Sequence, residues 1–193
     1  MASSRPRRAD TTPATTLDAT AWVEGAFDVL AEGGIDAVRI EPLAKRLGVT
    51  RGSFYWHFKD RETLHTAILK EWRKQQSYRI GSRIESQSCA PDERLKQTLA
   101  LPNSTPRAKR AAAIELAIRL WAGHDTNAAK AVKHIDHVRL TYYAKLFTEM
   151  GLAKSEARKR AFMLYAALLA QAYVFTDSET DVSADLAALL VRP

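Results

Sequence analysis

Between Asp18 and Glu32 the apolar residues Trp22, Val23, Ala26, Phe27 and Leu30 recur at helical spacing, with polar positions between them. The stripe predicts a helix capped by Asp18 and ended by Gly33-Gly34, a pair suited to a Schellman-like terminus. Leu43, Ala44 and Leu47 form the apolar face of a short second helix. Pro42 sits in its first turn, where a missing N–H costs nothing, and Gly48 closes it at positive φ. Thr50 then caps a third helix, Arg51 to about His57. Phe54 and Phe58, four apart, share its anchoring face. The rest is small or donor-bearing: Arg51, Gly52 and Ser53, then Tyr55, Trp56 and His57. An anchored helix that displays donors can enter a major groove by its N-terminus.

Asp60 caps a long helix to about Glu85, with Leu64, Ile68, Trp72 and Tyr78 on its buried side. A short helix, Asp92 to Leu101, is broken by Leu101–Pro106, and another runs from Arg107 to Ala122 with Ile114, Ala117, Ile118 and Trp121 inward. Asp125 or Thr126 starts the next, which reaches Met150 on a stripe of Ala128, Val132, Ile135, Tyr142 and Leu146. Arg139 falls on that stripe and must snorkel, pair with an acid or meet a ligand, because a lone buried charge is too costly. Gly151 ends the helix; Ser155 opens one to about Phe175, and Asp181 or Ser183 a short terminal one. From Ala161 to Ala170 that penultimate helix is apolar on every face, which in a chain of this length predicts cover by a partner subunit. Small residues such as Ala166 and Ala170 permit close approach. The last two long helices are therefore expected to form a four-helix dimer interface, with Val132, Ile135, Tyr142, Leu164, Ala167, Leu168 and Phe175 in it.

The fold expected is all-α. A three-helix domain with a helix-turn-helix occupies residues 17–60, a helical bundle that dimerises occupies 61–193, and a disordered basic tail with Arg5, Arg7 and Arg8 occupies 1–16. The formal charge is +7, yet residues 1–60 hold eight Lys/Arg and eight Asp/Glu, so total charge does not argue for a polyanionic partner. Local charge does. From Arg39 to Lys59 there are five basic residues (Arg39, Lys45, Arg46, Arg51, Lys59) against Glu41, a net of +4 on the donor-rich helix.

Enzyme chemistry finds no support. No phosphate-cradling glycine loop and no nucleophile elbow is present. His134, Asp136 and His137 sit together but read as a solvated helix face, so neither a metal nor a cofactor is expected. Cys89 is the only cysteine, which fits a reducing cytoplasm. The longest apolar run is about half of what a membrane span needs, and no secretory signal is read at the amino end.

The segments LAEGGIDAV, LAKRLGVTRGSFYWHF and KDRETL, within Leu17–Glu71, resemble the DNA-binding domain of the tetracycline-repressor (TetR/AcrR) family of transcriptional regulators. The resemblance implies a homodimer on a (pseudo)palindromic operator, one recognition helix per subunit, and a carboxy-terminal part that often binds a small effector. It implies phosphate contacts from Thr50, Tyr55, His57 and Lys59. Arg51, Ser53 and Trp56, near the helix start, are the candidates for base edges, and Gly52 would admit the backbone close to the duplex. Arg39 stands where the family often has Ser or Thr, and adds a candidate phosphate contact. Trp72, Tyr78, Trp121 and Tyr143 are candidates to line an effector cavity. The functional expectation is a sequence-specific regulator, a repressor released by a small ligand or an activator of the same fold.

Overall fold

A computed structural model describes residues 17–85, 90–99, 105–173 and 183–191; the expected basic tail, Cys89, Phe175 and Asp181 lie outside them. Among the described residues there are nine helices and no strand: α1 (Ala19–Ala37), α2 (Ile40–Arg46), α3 (Arg51–Tyr55), α4 (Arg61–Glu85), α5 (Pro91–Leu99), α6 (Pro106–Ala122), α7 (Thr126–Glu149), α8 (Lys154–Tyr173) and α9 (Ser183–Val191).

The caps follow the sequence in most places. The Asp18 carboxylate accepts from the Ala21 N–H at 2.8 Å, and Asp125 accepts from Asn127 and Ala128, both at 2.8 Å. Gly34 takes φ 73° and breaks α1 as expected, but the chain then makes one more helical turn, Ile35–Ala37, before it leaves at Val38. Gly48, at φ 69°, closes the turn between α2 and α3. Helix α3 ends at Tyr55, two residues short of the expected His57, and the Thr50 side chain makes no capping bond. Arg39 likewise occupies an N-cap position without a side-chain cap. Helix α6 begins one residue earlier than expected, because Thr105 accepts from the Ala108 N–H at 3.1 Å and Pro106 fits the first turn.

Two apolar clusters make the core. The first joins Trp22, Phe27 and Leu30 of α1 to Leu43, Phe54, Leu64, Ile68 and Trp72, and continues into Ile114, Ile118 and Trp121 of α6 and Ala128 and Ile135 of α7. It therefore runs across residue 60, and α1 packs on α6 as well as on α2 and α4. The second cluster packs Ile80, Leu95 and Leu99 with Tyr142, Tyr143, Leu146, Phe147, Leu164, Tyr165 and Leu190. Helix α7 is central: it contacts α4, α5, α6 and α8.

That packing places some of the residues expected at a dimer interface inside the subunit. Ile135, Tyr142 and Leu164 are buried in the subunit's own core, so they have no face left for a partner. Val132 packs partly against the first cluster and Leu168 against the second. The sequence stripe was real, but α4, α6 and α8 of the same chain cover it. What α8 exposes instead is Phe162 (66%) and Met163 (58%), with Ala166 and Ala170 on the same side and Ala167 half-buried at its edge.

A charged group lies among α6, α7 and α8. Arg139 neither snorkels nor stands alone: its guanidinium donates twice to Glu115, at 2.6 and 2.8 Å, and to Gln76 Oε1 at 2.8 Å. Arg119 donates to Glu115 and to Asp136, at 2.9 and 2.6 Å, and the Tyr165 hydroxyl donates to Asp136 at 2.6 Å. Asp136 thus faces inward rather than belonging to a solvated helix face, while His134 and His137 are exposed. Among the described residues no cluster of potential metal ligands forms, and no helix is long and apolar enough to cross a membrane.

Candidate nucleic-acid interface and core cavity

Helix α3 is held by its aromatic side. Phe54 is fully buried; its ring meets Trp22 edge-on at 5.3 Å and lies 5.4 Å from Phe58. Helix α1 approaches α2 closely at Gly25, where an added Cβ would stand 2.8 Å from Leu47 Cδ2. Arg61, at the start of α4, donates to the carbonyls of Val38 and Ile35, each at 2.8 Å, and so ties α4 to the α1–α2 link. Asp60 caps α4 through the Thr63 N–H at 2.8 Å, and this bond holds its carboxyl below the ordinary range.

The opposite side of α3 is open. Arg51, Gly52, Tyr55, Trp56, His57 and Lys59 are exposed, Trp56 at 87%, and Ser53 is half-buried. An apolar indole that open has no structural task in this chain. At Gly52 an added Cβ would meet only Thr50 Oγ1, at 3.6 Å, so the fold itself does not demand glycine there. Two of the five local cations are already engaged. Arg46 forms a bidentate pair with Glu32, at 2.6 and 2.7 Å. Arg51 reaches Glu41 at 3.0 Å and the Tyr55 hydroxyl at 3.2 Å, and its pKa is raised, first by the Tyr55 bond. Arg39, Lys45 and Lys59 carry no ion pair among the described residues. The Glu41–Arg51–Tyr55 chain was missed by sequence reasoning, which placed Arg51 and Tyr55 in separate roles. Their i,i+4 spacing on one helix was the available signal.

Away from α3, a cavity of about 620 Å³ opens among α1, α4, α5, α6, α7 and α8. Trp72, Tyr78 and Tyr143 line it, together with Gln76, Glu115, Arg139, Tyr165 and Tyr173. Trp121 does not; it packs in the first core, with the His65 ring edge-on at 5.2 Å. Burial pushes the Tyr165 and Tyr173 hydroxyls well above their ordinary range, so both stay protonated.

A sequence model for bacterial regulatory proteins of the tetR family matches residues 23–68, which hold most of α1, all of α2 and α3, and the start of α4. The tetracycline repressor protein class A from transposon 1721 of Escherichia coli is 37% identical over 56 residues, 29% of this chain and 26% of that protein. The match thus spans about a quarter of that relative's length. Over nearly the whole chain the likeness is one of fold. A transcriptional regulator from Rhodococcus sp. Rha1 superposes with a TM-score of 0.72 at 20% identity, covering 91% of this chain and 92% of that one. The transcriptional regulator FadR from Bacillus subtilis, solved with stearoyl-CoA, gives 0.67 at 19% identity, covering 89% and 97%. Fold and interface together define an all-helical chain built on a helix-turn-helix. The sequence likeness to the tetR family is confined to that amino-terminal domain.

Proposed function

We propose that the chain is a sequence-specific DNA-binding transcriptional regulator that acts as a homodimer on a (pseudo)palindromic operator. In this reading residues 17–60 read DNA, and residues 61–193 dimerise and bind a small effector that releases the operator, as in a repressor. The observation that carries it is α3: Phe54 and Phe58 buried on one side, Arg51, Tyr55, Trp56, His57 and Lys59 open on the other. Arg51, Ser53 and Trp56 are assigned to base edges, and Arg39, Thr50, Tyr55, His57 and Lys59 to phosphates. The exposed Phe162–Met163 face of α8 supports the dimer, and the cavity supports the effector. The class A tetracycline repressor is by name a repressor, which favours that direction of control.

The test is a titration of wild type and two variants against operator and random DNA at several salt concentrations, the operator first selected from a random pool. Lys59→Ala is expected to weaken both DNAs alike and flatten the salt slope by about one unit. Arg51→Ala is expected to cost roughly 5- to 150-fold on operator and much less on random DNA. Reversal of the two patterns reverses the roles; no effect from either removes α3 as the reading element.

A further inference from the structure

The cavity's polar groups are not evenly spent. Gln76 and Tyr143 both line it and are 4% and 3% exposed. The Gln76 carbonyl oxygen accepts from Arg139 at 2.8 Å, which fixes the amide and leaves its nitrogen with no acceptor among the described residues. The Tyr143 hydroxyl makes no hydrogen bond there either. The indole N–H of Trp72, another lining residue, is buried without a partner. Two of these three groups are donors only, and the third can donate. The Gln76 nitrogen and the Tyr143 hydroxyl belong to lining residues of the cavity, and a ligand that brings acceptors would satisfy them.

Charge narrows the class. The lining holds four arginines (Arg79, Arg107, Arg110, Arg139) and two glutamates (Glu24, Glu115), a formal balance of +2. Both glutamates are engaged: Glu24 by Arg110 at 3.2 Å and Gln75 at 3.1 Å, Glu115 by Arg119 and Arg139. Neither is spare to balance a cation. The Tyr165 ring is already taken by cations, because Arg119 and Arg139 sit over it, at 5.9 and 5.5 Å from its centroid. Part of the wall is apolar: Ile80, Ala111, Ala112, Ile114, Leu168 and Leu169. A volume of about 620 Å³ lies within the range of drug-sized sites, roughly 300–1,000 Å³.

We propose that the cavity takes an organic carboxylate with a flat or elongated apolar body, its carboxylate seated on Gln76 and Tyr143 and its body along α6 and α8. The role of such a ligand as effector rests on the function proposed above, but its binding does not. The test uses three fluorescent probes with one body and different heads: 1-pyrenebutyrate, its amide, and pyrenebutyl-trimethylammonium. Each is titrated into the full chain. The expected result is saturable binding of the carboxylate, one per chain and at least tenfold tighter than either other head. Tyr143→Phe removes only the unpartnered hydroxyl and is expected to weaken the carboxylate about tenfold while leaving the ammonium unchanged. Gln76→Leu is expected to act in the same direction, and Ala112→Trp to abolish binding by filling the site. No saturable binding, binding that Ala112→Trp leaves intact, an amide or ammonium that binds as tightly as the carboxylate, or a Tyr143→Phe without effect would each overturn the proposal. A carboxylate that binds as expected yet leaves operator affinity unchanged would uphold it and overturn the effector reading instead.

Discussion

Replacing Glu115 by Gln keeps the shape of the side chain and removes one charge from the group among α6, α7 and α8. Burial pushes the Glu115 carboxyl up, but the hydrogen bond and charge of Arg139, then those of Arg119, outweigh it and hold the group below its ordinary range. The substitution therefore leaves two guanidinium groups, 13% and 19% exposed, to share the single carboxylate of Asp136. Asp136 reaches Arg119 but makes no bond to Arg139, so Arg139 would keep only neutral acceptors: Gln76, Tyr165 and the new amide oxygen at 115. Removal of one partner from a buried pair costs about 3–5 kcal/mol. For a chain of this length each kcal/mol moves Tm by about 2–4 °C, so a drop of roughly 6–20 °C is expected. The assay is urea unfolding followed by circular dichroism, with a thermal melt beside it. The sign with pH follows from the lowered carboxyl: its contribution is complete above the unfolded carboxylate pKa and fades as pH falls through the lower folded value. Wild type should thus lose its advantage over Glu115→Gln on acidification. A cost below about 1 kcal/mol at neutral pH would mean that water in the cavity screens Arg139 as it would a surface pair, and the reasoning would fail.

Phe162→Glu sets a charge on the exposed apolar face of α8 and is expected to shift the chain to monomer in light scattering, with its far-UV spectrum unchanged; a wild type already monomeric at micromolar concentration refutes the interface. Gly25→Ala pushes a Cβ to within 2.8 Å of Leu47 Cδ2, so α1 and α2 must part or Leu47 must turn. A loss of about 1–3 kcal/mol in unfolding is expected, with weaker operator binding in gel shift; full retention of both would show that the α1–α2 contact is soft. Asp125→Ala removes both capping bonds of α7 and should cost about 1 kcal/mol. No change in urea midpoint would mean that water replaces the cap.

Most of the amino-terminal domain was legible because its signals are local. Trp22, Phe27 and Leu30 announce a helix face, Gly48 a turn, and Phe54 with Phe58 an anchor, each within one or two turns of chain. Residues expected at a dimer interface lie partly in the subunit's own core, because periodicity reports which face is apolar and not what covers it. Ile135 and Leu164 looked available only while the positions of α4 and α6 were unknown. The Arg139 pairing was expected in kind, but its partners could not be named. Glu115 lies 24 residues away, Asp136 read as solvent-facing, and Tyr165 sat inside an apolar run. Long-range polar pairing leaves no periodic trace in a sequence. The cavity was half legible for a related reason. Aromatic residues at helical spacing mark core and pocket alike, and only packing separates Trp72 and Tyr143 from Trp121.

The same packing changes the route by which a bound ligand would act on DNA binding. The covalent link between the reading domain and the rest of the chain runs through α4. The structure offers a shorter path. Arg110 of α6 donates to Asp28 at 2.6 Å and to Glu24 at 3.2 Å, both on α1, and Gln75 of α4 holds the other oxygen of Glu24 at 3.1 Å. Glu24, Gln75 and Arg110 all line the cavity. A ligand seated there touches the joint between α1 and the bundle directly, and α1 carries Trp22, on which α3 is anchored at 5.3 Å. Only a difference in ligand affinity between two positions of α1 can move α3, and DNA must then oppose the ligand by the same factor. A ligand that fills the cavity beside Arg110, Glu24 and Gln75 would disturb the bonds of that guanidinium to Asp28 and Glu24, which supplies such a difference without any strain on α4. Arg110→Lys keeps the charge but loses the fork that spans both acids, so it should loosen the coupling while the site still binds. Coupling unchanged in Arg110→Lys, measured as the ratio of probe affinities with and without operator, would return the signal to α4.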